Sequence, residues 1–205
     1  TYSLNQMFIL APAPRKGLLL AITDAPVDMS ILSKIPKEAQ GFSVNGFRLA
    51  PIWDTLWATI RSVDEKEAKE AQEELTKFEA QAGFKLKEDL VDAMGERVIY
   101  YSLPMQNLMM PSFEYYFLME LKDRAKAEKS IVSLIKFASE STGEFQLKEN
   151  EYEGGKFYSL SIPNLAKLGP LASVVPAFGF TDKFLVIGFS KSGVKKAIKK
   201  LGSTE

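Results

Sequence analysis

The sequence predicts an α+β fold: a largely antiparallel sheet with helices packed on one face. Three observations carry that expectation. Strand-like runs lie next to one another in sequence and are joined by short turns, which favours antiparallel pairing. Helical patterns are gathered between blocks of strands instead of alternating with them one for one. The chain has 205 residues, 46% of them hydrophobic and 25% charged, enough for a core of its own without staples.

Taken in order, Gln6 to Leu10 and Gly17 to Ile22 are short apolar runs that read as two strands around a tight loop. Residues 23–36, with Pro26 and Pro36, read as a connector. Ala39 to Val44 reads as a strand stopped by Asn45-Gly46. The period then changes. Ile52, Trp53, Leu56, Trp57 and Ile60 fall on one helical face, with Pro51 just inside the start. Asp64 followed by Glu67 is a capping box for a second helix, which Gly83 ends. A short helix is expected from Lys87 to Met94, stopped by Gly95.

Val98 to Leu103 and Phe113 to Leu121 read as strands. In the second, Phe113, Tyr115, Phe117, Met119 and Leu121 share one face, expected to be the well-buried one; Glu114, Tyr116, Leu118 and Glu120 share the other. Asp123 caps a long helix that ends at Gly143, with Ala127, Ile131, Leu134, Ile135 and Ala138 on one stripe. Strands at 144–149 and 156–162 flank Gly154-Gly155, and Thr181-Asp182-Lys183 turns a last hairpin. A closing helix spans 191–201. Strand then Lys/Ala-rich helix occurs twice, at 117–134 and 185–201, a weak internal echo.

These pieces carry a resemblance. Phe78-x-x-x-Ala82-Gly83-Phe84-x-Leu86-x-x-Asp89-Leu90-x-x-x-Met94-Gly95 precedes a strand; Tyr152-x-Gly154 follows; Phe178-Gly-Phe180-x-Asp182-x-Phe184-Leu-Val-Ile-Gly188 leads into a helix. Over about residues 35–201 the order resembles a bacterial family of envelope proteins catalogued only as a domain of unknown function. The resemblance implies export, an envelope (periplasmic or extracellular) location, and longer chains of several units. It supplies no catalytic residues. Met7 to Ile22 falls outside the unit, so residues 1–34 are expected to be N-terminal strands and connector, the tail of a preceding unit, and 35–205 a single α+β domain.

Composition excludes more than it assigns. There is no cysteine and no histidine, which removes disulfides, thiolate nucleophiles, Cys/His zinc sites, iron–sulfur clusters and every Ser-His or Cys-His mechanism in this chain. Basic and acidic residues balance at 26 each, so no overall field points to nucleic acid. No apolar run reaches the roughly 18 residues of a membrane span. The opening run lacks a basic leader and carries Pro12 and Pro14, which makes a poor signal peptide. A first residue of Thr1 is expected of a mature or excised fragment. Walker or Rossmann glycine spacing is absent, and so are calcium-loop acids. Neither cofactor nor metal is expected.

The remaining chemistry is thin. Ser-x-x-Lys occurs at Ser133/Lys136 and Ser192/Lys195, about what chance supplies for 17 serines and 21 lysines. Glu114 and Glu120 are the best carboxylates for a hydrolase, which would need them to converge within about 5–10 Å. The helix at 64–79 is acidic and the last helix basic, both matched to the helix dipole; the basic one could also contact an anion or lipid headgroup. Trp53 and Trp57 could stack a ligand between helix and sheet. Of Tyr100, Tyr101, Tyr115 and Tyr116, one pair is expected outside. The oddest segment is Pro104 to Pro111, where Met105, Leu108, Met109 and Met110 sit in a loop; Met-rich apolar surface suits adaptable binding. The expected function is a non-enzymatic binding module with no catalytic residues, contacting another protein or another unit of the same chain through Met105, Leu108, Met109, Met110, Tyr101 and Tyr116. The alternatives are a carrier of an apolar ligand between sheet and helix, or a carboxylate hydrolase.

Overall fold

The computed structural model describes residues 15–23, 28–104, 114–152, 154–164 and 174–202. Seven strands form one sheet: β1 (Gly41–Gly46), β2 (Met94–Ser102), β3 (Tyr115–Leu121), β4 (Gln146–Tyr152), β5 (Gly155–Ser161), β6 (Ala177–Phe180) and β7 (Phe184–Gly188). Their order is β1-β2-β3-β7-β6-β5-β4, and every neighbouring pair is antiparallel. Among the described residues four α-helices accompany it: α1 (Leu49–Val63), α2 (Glu65–Ala82), α3 (Arg124–Thr142) and α4 (Lys191–Gly202). The class is α+β, as the short turns and clustered helices predict.

The layering differs from the expectation: helices cover both faces, not one. Alternation along the central strands divides the core. Ile99, Tyr101, Tyr116, Leu118, Phe157, Ala177, Phe184 and Val186 pack with Val194, Ala197 and Ile198 of α4. Met94, Leu121, Tyr158, Phe178, Phe180 and Leu185 pack with Ala127, Ile131 and Ile135 of α3, and with Leu49 of α1. Both sides of β6 and β7 are therefore buried, and Phe184-Leu-Val-Ile-Gly188 is an unbroken apolar run for that reason. The internal echo carries no two-fold relation. β3 and β7 pair antiparallel while their helices lie on opposite faces, and a rotation that reversed the strand would leave the helix on its own side.

Helix ends follow local chemistry. The Asp64 carboxylate accepts the backbone N–H of Lys66 at 2.7 Å and of Glu67 at 3.3 Å, and Gly83 closes α2 in the left-handed region at φ 74°. Asp123 accepts from the Lys126 N–H at 3.0 Å, and Gly143 ends α3 at φ 67°. Phe78 of α2 meets Phe137 of α3 edge to face with ring centroids 5.3 Å apart.

Two local expectations are corrected. Gly17–Ala21 is a 3₁₀ turn, not a strand; only Ile22 bridges to the sheet, opposite Phe47. A run as short as Leu18-Leu19-Leu20 carries no period that separates strand from helix. The segment Leu86–Val91 is a π-helical turn, and the chain then enters β2 at Met94, so Gly95 is a strand residue and not a helix stop. The expected strand at 6–10 and residue Phe113 lie outside the described residues. Within the expected connector, Met29–Lys34 forms a second 3₁₀ turn, and its Ile31, with Ile35, belongs to the core under α4. The Arg48 guanidinium donates to the Leu20 carbonyl at 2.7 Å, tying residues 17–22 to the same body.

Glycines sit at the contact between α4 and the sheet, Gly179 on β6 and Gly193 on α4 itself. A Cβ on Gly179 would stand 2.4 Å from Ile198 Cδ1, and one on Gly193 would stand 2.0 Å from the Tyr116 hydroxyl oxygen. At both positions an added Cβ would force a neighbouring side chain to shift.

Candidate functional site

An apolar cavity of about 490 Å³ lies at one end of this helix–sheet layer. Its floor is the stacked pair Tyr101 and Tyr116, ring centroids 5.0 Å apart and 22° between planes. Leu103 and Pro104 continue one wall from the end of β2. Pro36 closes a second wall, and Gly193, Ala197 and Leu201 form the third along α4. Three lysines, Lys34, Lys196 and Lys200, and two acids, Glu38 and Glu114, complete the lining.

Register builds the floor. Tyr101 pairs with Tyr116 across β2 and β3, so both rings point to the face that α4 covers. They are 3% and 2% exposed. The expectation that these two rings form an outer contact surface is therefore corrected. The outward pair is Tyr100 with Tyr115, stacked at 6.0 Å, with Phe117 5.2 Å from Tyr100. Phe117 and Tyr115 are exposed while Tyr116 and Leu118 are buried, the reverse of the face expected for this strand. At its far end the same outward face does pack, through Met119 and Leu121 under α3. Strand parity shows which side chains share a face; only the position of α4 shows which face is covered.

The Tyr116 hydroxyl donates to the Glu114 carboxylate. Burial, and then this carboxylate, raise the Tyr116 hydroxyl above the ordinary tyrosine range. Burial, and then the charge of Glu114, do the same for Tyr101. The sign of the linkage follows. Both rings are held neutral in the folded chain, whereas unfolded tyrosine ionises at about 10. Stability is complete below that value and falls as pH rises through it toward the raised folded values. Urea midpoints taken from about pH 8 to about pH 11 are expected to fall, and less steeply in Tyr101→Phe and Tyr116→Phe; parallel profiles in all three proteins would contradict this origin.

The other proposed sites do not assemble. Six residues of extended strand, roughly 20 Å, separate Glu114 from Glu120. Glu120 instead binds Arg97 at 2.9 Å and accepts the Glu96 N–H at 3.2 Å. Trp53 and Trp57 are 5.9 Å apart, and Trp57 is buried. The cavity of about 300 Å³ beside them lies between α1, α2 and residues 85–88; its wall includes Arg61, Glu79, Lys85 and Glu88, and no strand residue. Neither serine of the Ser-x-x-Lys pairs hydrogen-bonds its lysine; Ser192 reaches the main cavity and Lys195 does not. Among the described residues no cluster of three acids could hold a metal ion, and no helix is long and apolar enough to cross a membrane.

Met105, Leu108, Met109 and Met110 lie outside the described residues. Pro104 and Glu114, which flank that segment, are both on the cavity wall. Lys34, Pro36, Leu103 and Gly193 escape sequence reasoning, because they come from three separate segments. The basic face of the last helix, read from the sequence as a candidate anion contact, is the signal that points to α4, with Lys196 and Lys200 spaced i, i+4 about Ala197.

The segment that carried the family resemblance has local structural duties. Phe84 is buried and meets Phe78 edge to face at 6.2 Å. The Asp89 carboxylate accepts the Lys85 N–H at 2.9 Å, a contact that lowers its pKa. Ser130 of α3 donates to the Asp89 carbonyl at 3.0 Å. Comparison of the chain with protein-family models, with curated proteins and with solved structures finds no match.

Proposed function

We propose that this chain is a non-enzymatic binding module whose site is the cavity between residues 34–38, the adjoining ends of β2 and β3, and α4, and whose ligand is largely apolar. The observation that supports this is the cavity itself. Its volume of about 490 Å³ lies within the range of small-molecule sites, and it has a stacked aromatic floor with aliphatic walls. This shifts the apolar-carrier alternative from the Trp53/Trp57 helix to α4. The envelope location and the membership of a longer chain rest on the family resemblance alone. Contact with another protein or another unit of the same chain is the second reading, favoured by the outward rings of Tyr100, Tyr115 and Phe117.

Calorimetric titration with dodecanol tests the cavity. The chain is expected to bind it, and Leu103→Trp, which places an indole in the cavity from a half-buried wall position, is expected to weaken binding at least ten-fold while far-ultraviolet circular dichroism stays unchanged. No binding by the native chain, or equal binding by a folded Leu103→Trp, would overturn the reading.

A further inference from the structure

We infer that the ligand of this cavity is an amphiphile, an apolar chain ending in one anionic head group, with the head group held by Lys196 and Lys200 opposite Lys34. The inference rests on the cavity reading above and adds the chemical class.

It starts from charge. α4 carries five lysines and no acid over Lys191–Gly202. Lys196 and Lys200 are one turn apart on the same side of the helix, where like charges repel, and both line the cavity. Lys34 stands on the wall formed by the 3₁₀ turn at 29–34. Lys34 and Lys196 make no ion pair among the described residues. The acids of the lining do not cancel this set. Glu114 keeps its negative charge while accepting from the Tyr116 hydroxyl at the floor, and Glu38 is exposed, so two carboxylates stand against three ammonium groups and the balance is still positive.

The arrangement is polarised as an amphiphile requires. Tyr101, Tyr116, Leu103, Ala197 and Leu201 offer apolar contact, whereas Lys196 and Lys200 are exposed at the rim. An anion there would relieve the repulsion within α4 and accept charge-assisted hydrogen bonds from ammonium groups, while the chain removes apolar surface from water. A purely apolar ligand would make no use of the ammonium groups of Lys34 and Lys196. A small inorganic anion would make no use of the aromatic floor.

The test compares dodecanol with dodecanoate at equal chain length, both below their aggregation limits, on the native chain and on Lys196→Gln/Lys200→Gln. Dodecanoate is expected to bind about ten-fold more tightly than dodecanol. The double variant is expected to erase that difference without changing dodecanol affinity. Raising the salt concentration should narrow the gap, since the ammonium groups are exposed. Flotation with phosphatidylglycerol/phosphatidylcholine vesicles separates the sources of the head group. Preference for monomeric dodecanoate assigns a free acid. Flotation with phosphatidylglycerol that is lost in the double variant assigns a lipid; either supports the inference. Equal affinity for dodecanol and dodecanoate, with no phosphatidylglycerol dependence, overturns the head group and leaves the cavity reading standing. Failure of every probe overturns both.

Discussion

Leu118→Ala is expected to lower the unfolding free energy by about 2–5 kcal/mol, a large share of the roughly 5–15 kcal/mol that holds an ordinary domain. Leu118 sits at the middle of β3, paired with Ile99 on one side and Val186 on the other, and all three side chains are 0% exposed. The methyl groups removed have no route to solvent, and three strands anchored on both sides cannot collapse into the space. Its sequence neighbour supplies the control. Phe117 is the larger side chain but points to the opposite, exposed face, so Phe117→Ala should cost clearly less. Urea denaturation of the two variants reads the difference, and a larger loss for Phe117→Ala would reverse the assignment of faces.

Gly95→Ala is expected to cost about 1–3 kcal/mol by overpacking. A Cβ there would lie 2.6 Å from both Cβ and Cγ of Glu120 and 2.9 Å from its backbone carbonyl carbon. Those atoms cannot move aside without disturbing β3 or the pairing of Glu120 with Arg97. Gly83 makes the comparison, because its added Cβ meets open space and the cost there is conformational alone, about 1 kcal/mol. Thermal denaturation should therefore place Gly95→Ala below Gly83→Ala. The opposite order would fit a helix stop at residue 95.

These two variants mark where the sequence is legible and where it is not. Asp64 and Gly83 delimit α2, Asp123 and Gly143 delimit α3, and Gly154-Gly155 turns a hairpin, because caps and tight turns are settled within a few residues. Gly95 carries the same letter as Gly83 but answers to Glu120 in a neighbouring strand, which no local pattern reveals. Strand parity requires one tyrosine pair to face outward but does not say that Tyr101 and Tyr116 are the inward one. They do reach the cavity, but from beneath, as its buried floor. The second helical layer, by contrast, is legible: Phe184-Leu-Val-Ile-Gly188 is apolar at every position, and an unbroken run of that kind implies cover on both sides, against the expectation of one covered face.

The strand order has a consequence for biosynthesis. β7 lies at the centre of the sheet yet follows the other six described strands in the chain, between β3 on one side and β6 on the other. A nascent chain that has not yet delivered Phe184–Gly188 holds two separate ribbons, β1-β2-β3 and β4-β5-β6, each ending in an open hydrogen-bonding edge. Neither ribbon has a partner for that edge until Phe184–Gly188 emerges, so the sheet depends on late closure and on protection of those edges in the meantime.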